Sequence, residues 1–141
     1  LELMLPDFYV SSIEERLSLY QKLAEIEDNT ALKQFETELA DRFGKLPQEA
    51  KNLLKSVELK WLAADIGFEK IVVKNGVFLG YFPSNAQDKF YQSQKFKKII
   101  AYLTQNPAEA TLKEKNNQLM MRKDNVKNVD EVNLVLNRIL A

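Results

Sequence analysis

The 141-residue chain contains no cysteine and no histidine, and only four glycines, four prolines and one tryptophan. Without cysteine there is neither a disulfide nor a thiolate nucleophile. The added absence of histidine excludes Cys/His zinc sites and Ser-His-Asp catalysis. No apolar run approaches the roughly 20 residues that a membrane-spanning helix requires. The first ten residues lack a basic segment and include Glu2, Pro6 and Asp7, unlike a secretory signal. The sequence starts Leu-Glu-Leu without an initiator methionine, as a piece of a longer protein would. No phosphate-loop pattern G-x-x-x-x-G-K-[ST], no G-x-G-x-x-G and no G-x-S-x-G elbow occurs. Carboxylate pairs such as Glu14/Glu15 and Glu38/Asp41 fall on amphipathic helices, where they read as solvated surface. The expectation is a non-enzymatic chain without cofactor or metal, cytoplasmic and off the membrane.

The residues present organise into an α+β pattern. A helix opens at Ser12 with Glu15 three residues on, a capping spacing, and carries Ile13, Leu17, Tyr20 and Ala24 as its expected inner face. A second helix, capped by Asn29 or Thr30, places Leu32, Phe35, Leu39 and Phe43 on one stripe and stops at Gly44. A long third helix over 47–66 is apolar on two sides and reads as a central spine. Its first stripe holds Ala50, Leu53, Leu54, Val57, Trp61 and Ala64; its second holds Leu59, Leu62 and Ile66.

Beyond Gly67 the period changes from helical to alternating. Residues 68–73 and 77–82 flank Asn75-Gly76, and 110–115 and 118–123 flank Asn116-Asn117, predicting two hairpins. A helix with Phe96, Ile99, Ile100 and Leu103 lies between them, ending at Asn106-Pro107. A last helix follows Asn128. The expected architecture is one domain over 1–141: an extended lead-in at 1–10, a helical N-terminal half of three helices, and a small antiparallel sheet from two hairpins with two further helices.

The 20 Lys/Arg and 20 Asp/Glu cancel overall but not locally. Residues 1–67 hold 8 basic and 13 acidic side chains, and 68–141 hold 12 and 7. Two surfaces of opposite sign suit different partners, or simply solvate two faces of one globule. In the basic half, Lys95, Lys97 and Lys98 surround Phe96, with Phe90, Tyr91 and Tyr102 nearby, a pattern that can track phosphates and stack bases. The competing view has the rings facing the core and the lysines only solvating a helix. In the acidic half, Glu38, Asp41 and Arg42 lie away from the Leu39/Phe43 stripe. A Glu38–Arg42 i,i+4 pair is the simplest expectation there.

The string Glu38-Leu39-Ala40-Asp41-Arg42-Phe43-Gly44-Lys45-Leu46-Pro47 resembles a signature of the C-terminal domain of bacterial transcription-repair coupling factors (Mfd). Leu5-Pro6 with Tyr9-Val10, Arg16-Leu17 with Tyr20, and Ile66-Gly67-Phe68-Glu69-Lys70-Ile71 extend the resemblance to about residue 73; residues 83–110 fit it poorly. The resemblance implies a regulatory domain of an ATP-driven DNA translocase that removes stalled RNA polymerase and recruits UvrA for excision repair. The motor would lie elsewhere in the parent. This domain would dock on the parent's UvrB-homology module, masking the UvrA-binding surface, with Glu38, Asp41 and Arg42 at the contact. The other function to weigh is nucleic-acid binding through Lys95, Lys97 and Lys98.

Overall fold

The computed structural model describes residues 3–141. Element order is α1 (Ile13–Ala24), α2 (Asn29–Phe43), α3 (Gln48–Ile66), β1 (Lys70–Lys74), β2 (Val77–Tyr81), a 3-10 turn (Lys89–Gln92), α4 (Gln94–Gln105), β3 (Thr111–Lys115), β4 (Gln118–Lys123) and α5 (Val129–Leu140). The fold is α+β, as the sequence pattern predicts. The chain divides into two compact units, Leu1–Glu58 and Leu59–Ala141, and α3 contributes residues to both.

In the first unit, Ser12 caps α1 by accepting from the Glu15 amide at 3.2 Å. The cap of α2 is Asp28, one residue before the two expected: its carboxylate accepts from the Ala31 amide at 2.8 Å. The lead-in also departs from expectation. Residues 6–10 close a turn, with the Tyr9 and Val10 amides both donating to the Pro6 carbonyl, instead of running extended. The Leu5 amide donates to the Tyr20 hydroxyl at 2.8 Å, and Arg16 donates to the Val10 carbonyl at 2.6 Å.

The inner face of α1 differs from the expected one as well. Leu19 and Leu23 are buried, whereas Ile13 and Leu17 are 65% and 58% exposed. Two apolar stripes share this helix, and Glu15 and Lys22 bridge to α2 on a flank next to the Leu19/Leu23 side. On α2, Leu32, Phe35 and Leu39 are buried as expected, while Phe43 is half-buried.

The second unit is built on a four-stranded antiparallel sheet in the order β1-β2-β4-β3. Both hairpins turn through positive-φ pairs, Asn75 (53°)/Gly76 (74°) and Asn116 (54°)/Asn117 (62°), the geometry that matches the strands' own twist. Leu59, Ala63 and Ile66 of α3 join Phe78, Met121, Ile99, Leu103 and the buried face of α5 in one core. Ala63 thus joins the Leu59/Ile66 stripe, while Ala64, expected on the first stripe, is exposed. On α5, Val129, Val132, Leu136 and Ile139 are buried as the helical period requires.

Gly80 sits where Phe68 presses on the sheet: a Cβ there would stand 2.5 Å from the Phe68 ring. Phe68 in turn packs on the rings of Phe78 and Phe82, at 5.9 and 5.0 Å between centroids, so the ring has no free direction of retreat. Gly80→Ala is expected to lower unfolding stability by about 1–3 kcal/mol through overpacking, measured by urea titration.

Three tyrosines tie loops down and hold their protons more tightly than usual. The Tyr102 hydroxyl donates to the Glu109 carboxylate, which also receives Arg138 of α5. That hydrogen bond, then burial, raises the Tyr102 pKa above 10.0. Burial raises Tyr9, and burial followed by the charges of Asp88 and Glu69 raises Tyr91. A proton bound more tightly in the folded state stabilises it below the unfolded pKa and is lost as pH rises through the folded one. Stability should therefore hold steady up to about pH 10 and fall above it. Tyr102→Phe should make that alkaline fall shallower in urea midpoints measured from neutral to strongly alkaline pH.

Candidate functional site

The string Glu38–Pro47 occupies the last two turns of α2 and the loop to α3. Leu39 and Leu46 are buried, which fixes the helix end, and Gly44 (φ 89°) turns the chain out of it. The carbonyls exposed by that ending are met from the lead-in: the Tyr9 hydroxyl donates to Gly44 O at 2.7 Å, with Leu39 O at 3.2 Å. The Tyr9 ring lies 5.8 Å from that of Phe43.

On this frame the three acidic and basic residues have different circumstances. Glu38 is not paired with Arg42, as the i,i+4 spacing suggests. Each reaches across to α1 instead: Lys22 donates to Glu38 at 2.6 Å, and Arg42 donates to Glu15 at 3.2 Å. All four side chains are about half-exposed, so each pair contributes only about 0–1 kcal/mol while fixing the register of the two helices. The Arg42 guanidinium also lies over the Phe43 ring, 4.7 Å from its centroid.

Asp41 differs from both. It is exposed and has no ion-pair or hydrogen-bond partner among the described residues. It stands in the last turn of α2, where the helix dipole places negative potential and where an acid is disfavoured. Folding thus gains nothing from this carboxylate. Its outward direction, with Lys33, Gln34 and Thr37 exposed on the helix surface just before it, leaves it free to meet a cation from outside.

The lysines of α4 do not form a comparable site. Lys95 donates to the Asp65 carbonyl at 2.6 Å, at the end of α3, with the Asp65 carboxylate 3.5 Å away. Lys98 donates to the Leu140 carbonyl at 3.1 Å, at the end of α5. Helical geometry turns Lys97 roughly 160° from Lys95, so the three ammonium groups do not converge. The neighbouring rings are occupied by one another: Phe96 lies 5.3 Å from Phe90, 5.1 Å from Tyr91 and 5.9 Å from Phe82.

Comparison with known proteins gives this frame a family. The family profile described as "TRCF domain" matches residues 1–93, which include α1, α2, α3 and the whole Glu38–Pro47 string. The chain belongs to the TRCF domain family. Transcription-repair-coupling factor of Rickettsia bellii is 30% identical over 123 residues, covering 87% of this chain and 10% of that protein. The Haemophilus influenzae protein of the same name is 39% identical over 93 residues, 63% of this chain and 8% of that one. The chain thus spans about a tenth of these relatives.

A crystal structure of the C-terminal domain of transcription-repair coupling factor superposes with a TM-score of 0.79 at 19% identity, covering 99% of this chain and 88% of the other. The fold of that domain therefore extends through the TRCF domain's second hairpin and α5, where the profile match has ended. No helix among the described residues is long and apolar enough to cross a membrane.

Because Asp41 opposes the helix dipole without any internal partner, Asp41→Asn should leave this chain as stable as before or raise its stability by up to about 1 kcal/mol at low ionic strength. Thermal unfolding at low and high salt measures it, and the gain should shrink as salt rises.

Proposed function

We propose that this TRCF domain is a non-catalytic regulatory module that docks on the UvrB-homology module of its parent chain and covers the surface that would receive UvrA. The observation that carries the proposal is Asp41: an exposed, unpartnered acid retained at the helix end least hospitable to it, in the motif on which the family resemblance rests. Glu38 and Arg42 support the contact from either side. Each is held by a residue of α1, so the charged face is preformed before a partner arrives. A partner cation at Asp41 would find the carboxylate in place and would relieve its unfavourable position at the helix end.

Docking then works by population. While the closed form dominates, the apparent affinity for UvrA falls by the fraction of molecules that are open. When the motor of the parent engages RNA polymerase and DNA, the contact releases and the UvrA surface is exposed. A contact of about 600–1,500 Å², usual between domains of one chain, is large enough to hold such a state and small enough to break. Rim charges set its salt sensitivity, whereas a desolvated pair broken on one side costs about 2–5 kcal/mol.

The experiment is UvrA capture by a full-length coupling factor carrying this domain, as wild type, Asp41→Lys and Asp41→Asn. Asp41→Lys should raise UvrA capture at least about tenfold, equivalent to about 1.4 kcal/mol off the closed state, and Asp41→Asn should raise it less. Capture equal to wild type by an Asp41→Lys protein that unfolds at the native temperature would overturn the masking role.

A further inference from the structure

We propose that the outer face of the four-stranded sheet is a binding surface for single-stranded nucleic acid. The register separates its two faces without ambiguity. Gly80 pairs with Met121, Met121 with Leu112, and Ile71 with Gly80; this row faces the core, where Met121 is fully buried and Phe68 lies against Gly80. Side chains alternate along a strand, so the neighbouring rows point the other way. One outer row runs Lys70, Tyr81, Met120, Lys113 across the four strands, and the next runs Val72, Leu79, Arg122, Thr111.

Five cations therefore share this face: Lys70, Lys74, Lys113, Lys115 and Arg122, all exposed. The one acid within the four strands, Glu114, has the opposite parity. Lys74, Lys113 and Lys115 have no ion-pair partner among the described residues. Arg122 is held by Asp124 at 2.9 Å, just beyond the end of β4. Five of the twelve basic side chains of residues 68–141 thus lie on one side of one sheet.

The middle of the face has the complementary character. Leu79 and Tyr81 are half-buried between the cations and form the accessible apolar surface, with Met120, buried, beneath it beside Tyr81. The Lys70 ammonium lies 5.7 Å from the Tyr81 ring centroid. With strands about 4.8 Å apart and alternate residues about 6.8 Å apart, the lysines stand around an apolar patch roughly 14 Å across. Phosphates can lie along such a rim while unpaired bases rest on the patch. A duplex hides its base faces and could use only the rim. Lys95 and Lys98 of α4, spent on helix ends, are not part of this surface.

The test is fluorescence anisotropy of a labelled oligothymidylate of about 15 nucleotides with this chain, between about 50 and 200 mM salt. Saturable binding should weaken with salt at a slope of about −0.7 per neutralised phosphate, near −3 for four to five contacts. The double substitution Lys113→Glu/Lys115→Glu, on an exposed edge strand, should weaken binding at least tenfold. Tyr81→Leu should weaken it several-fold at an unchanged salt slope, and Lys97→Glu on α4 should have no effect. No binding at about 50 mM salt would overturn the proposal. So would full binding by a natively folded Lys113→Glu/Lys115→Glu variant. Equal affinity for polyglutamate would also overturn it, assigning the face to acidic protein surfaces instead.

Discussion

The carbonyls left without partners at the C-terminal ends of helices govern much of this chain's use of charged and polar side chains. Three of the five helix ends draw on a side chain from a distant point in the sequence. Tyr9 serves the end of α2, Lys95 the end of α3 and Lys98 the end of α5. Each of these groups satisfies a backbone acceptor and places a positive or donor group where the helix dipole favours it. A lysine so employed has lost much of its freedom to bind a phosphate. That separates Lys95 and Lys98, which serve folding, from Asp41, which opposes it. The same rule that explains two cations next to helix ends marks Asp41, whose carboxylate has no lysine beside it as Asp65 has in Lys95, as out of place.

How much of this was legible in the sequence depends on how local the cause is. The two hairpins were legible because Asn-Gly and Asn-Asn adopt positive φ without help from the rest of the fold. The faces of α4 and α5 were legible because each carries a single apolar stripe, with Ile99 and Leu103 buried on one and Val129, Val132, Leu136 and Ile139 on the other. On α1 two stripes compete, and spacing alone cannot rank Ile13/Leu17 against Leu19/Leu23. Only the partner helix decides between them. The cap of α2 is Asp28 instead of Asn29 or Thr30 because neighbouring residues of similar capping strength differ in backbone geometry, which a residue count does not reveal.

The candidate site was legible in its members and hidden in its pairings. Glu38 and Arg42 sit four apart on one helix, and the i,i+4 rule joins them; the cross-helix contacts with Lys22 and Glu15 require knowing that α1 lies alongside. The lysine cluster of α4 is the opposite case. Adjacent in sequence, its members divide between two faces, Lys97 turning away from Lys95 and Lys98, because successive residues rotate about 100° around a helix. The cations of the sheet face come from β1, β3 and β4, with Lys70 and Lys113 forty-three positions apart, so no window of sequence could bring them together.

The distribution of charge also bears on why the two proposed surfaces stay separate in kind. Directly opposed like charges across strands are destabilising, and this sheet avoids them: Lys70 faces Tyr81, Lys113 faces Met120 and Arg122 faces Thr111 and Leu79. The cations are therefore tolerated by the fold, each spaced by a neutral neighbour, yet none is required by it. Asp41 is tolerated in the same sense, at a small cost from the helix dipole. Side chains that a fold neither needs nor neutralises are the ones free to answer a partner. In this chain two such sets are the acid at Asp41 on α2 and the basic field on the sheet. An unpaired acid beside the internally paired Glu38 and Arg42 suits one matched cation. A field of cations along the edges of an apolar patch suits a long, flexible polyanion.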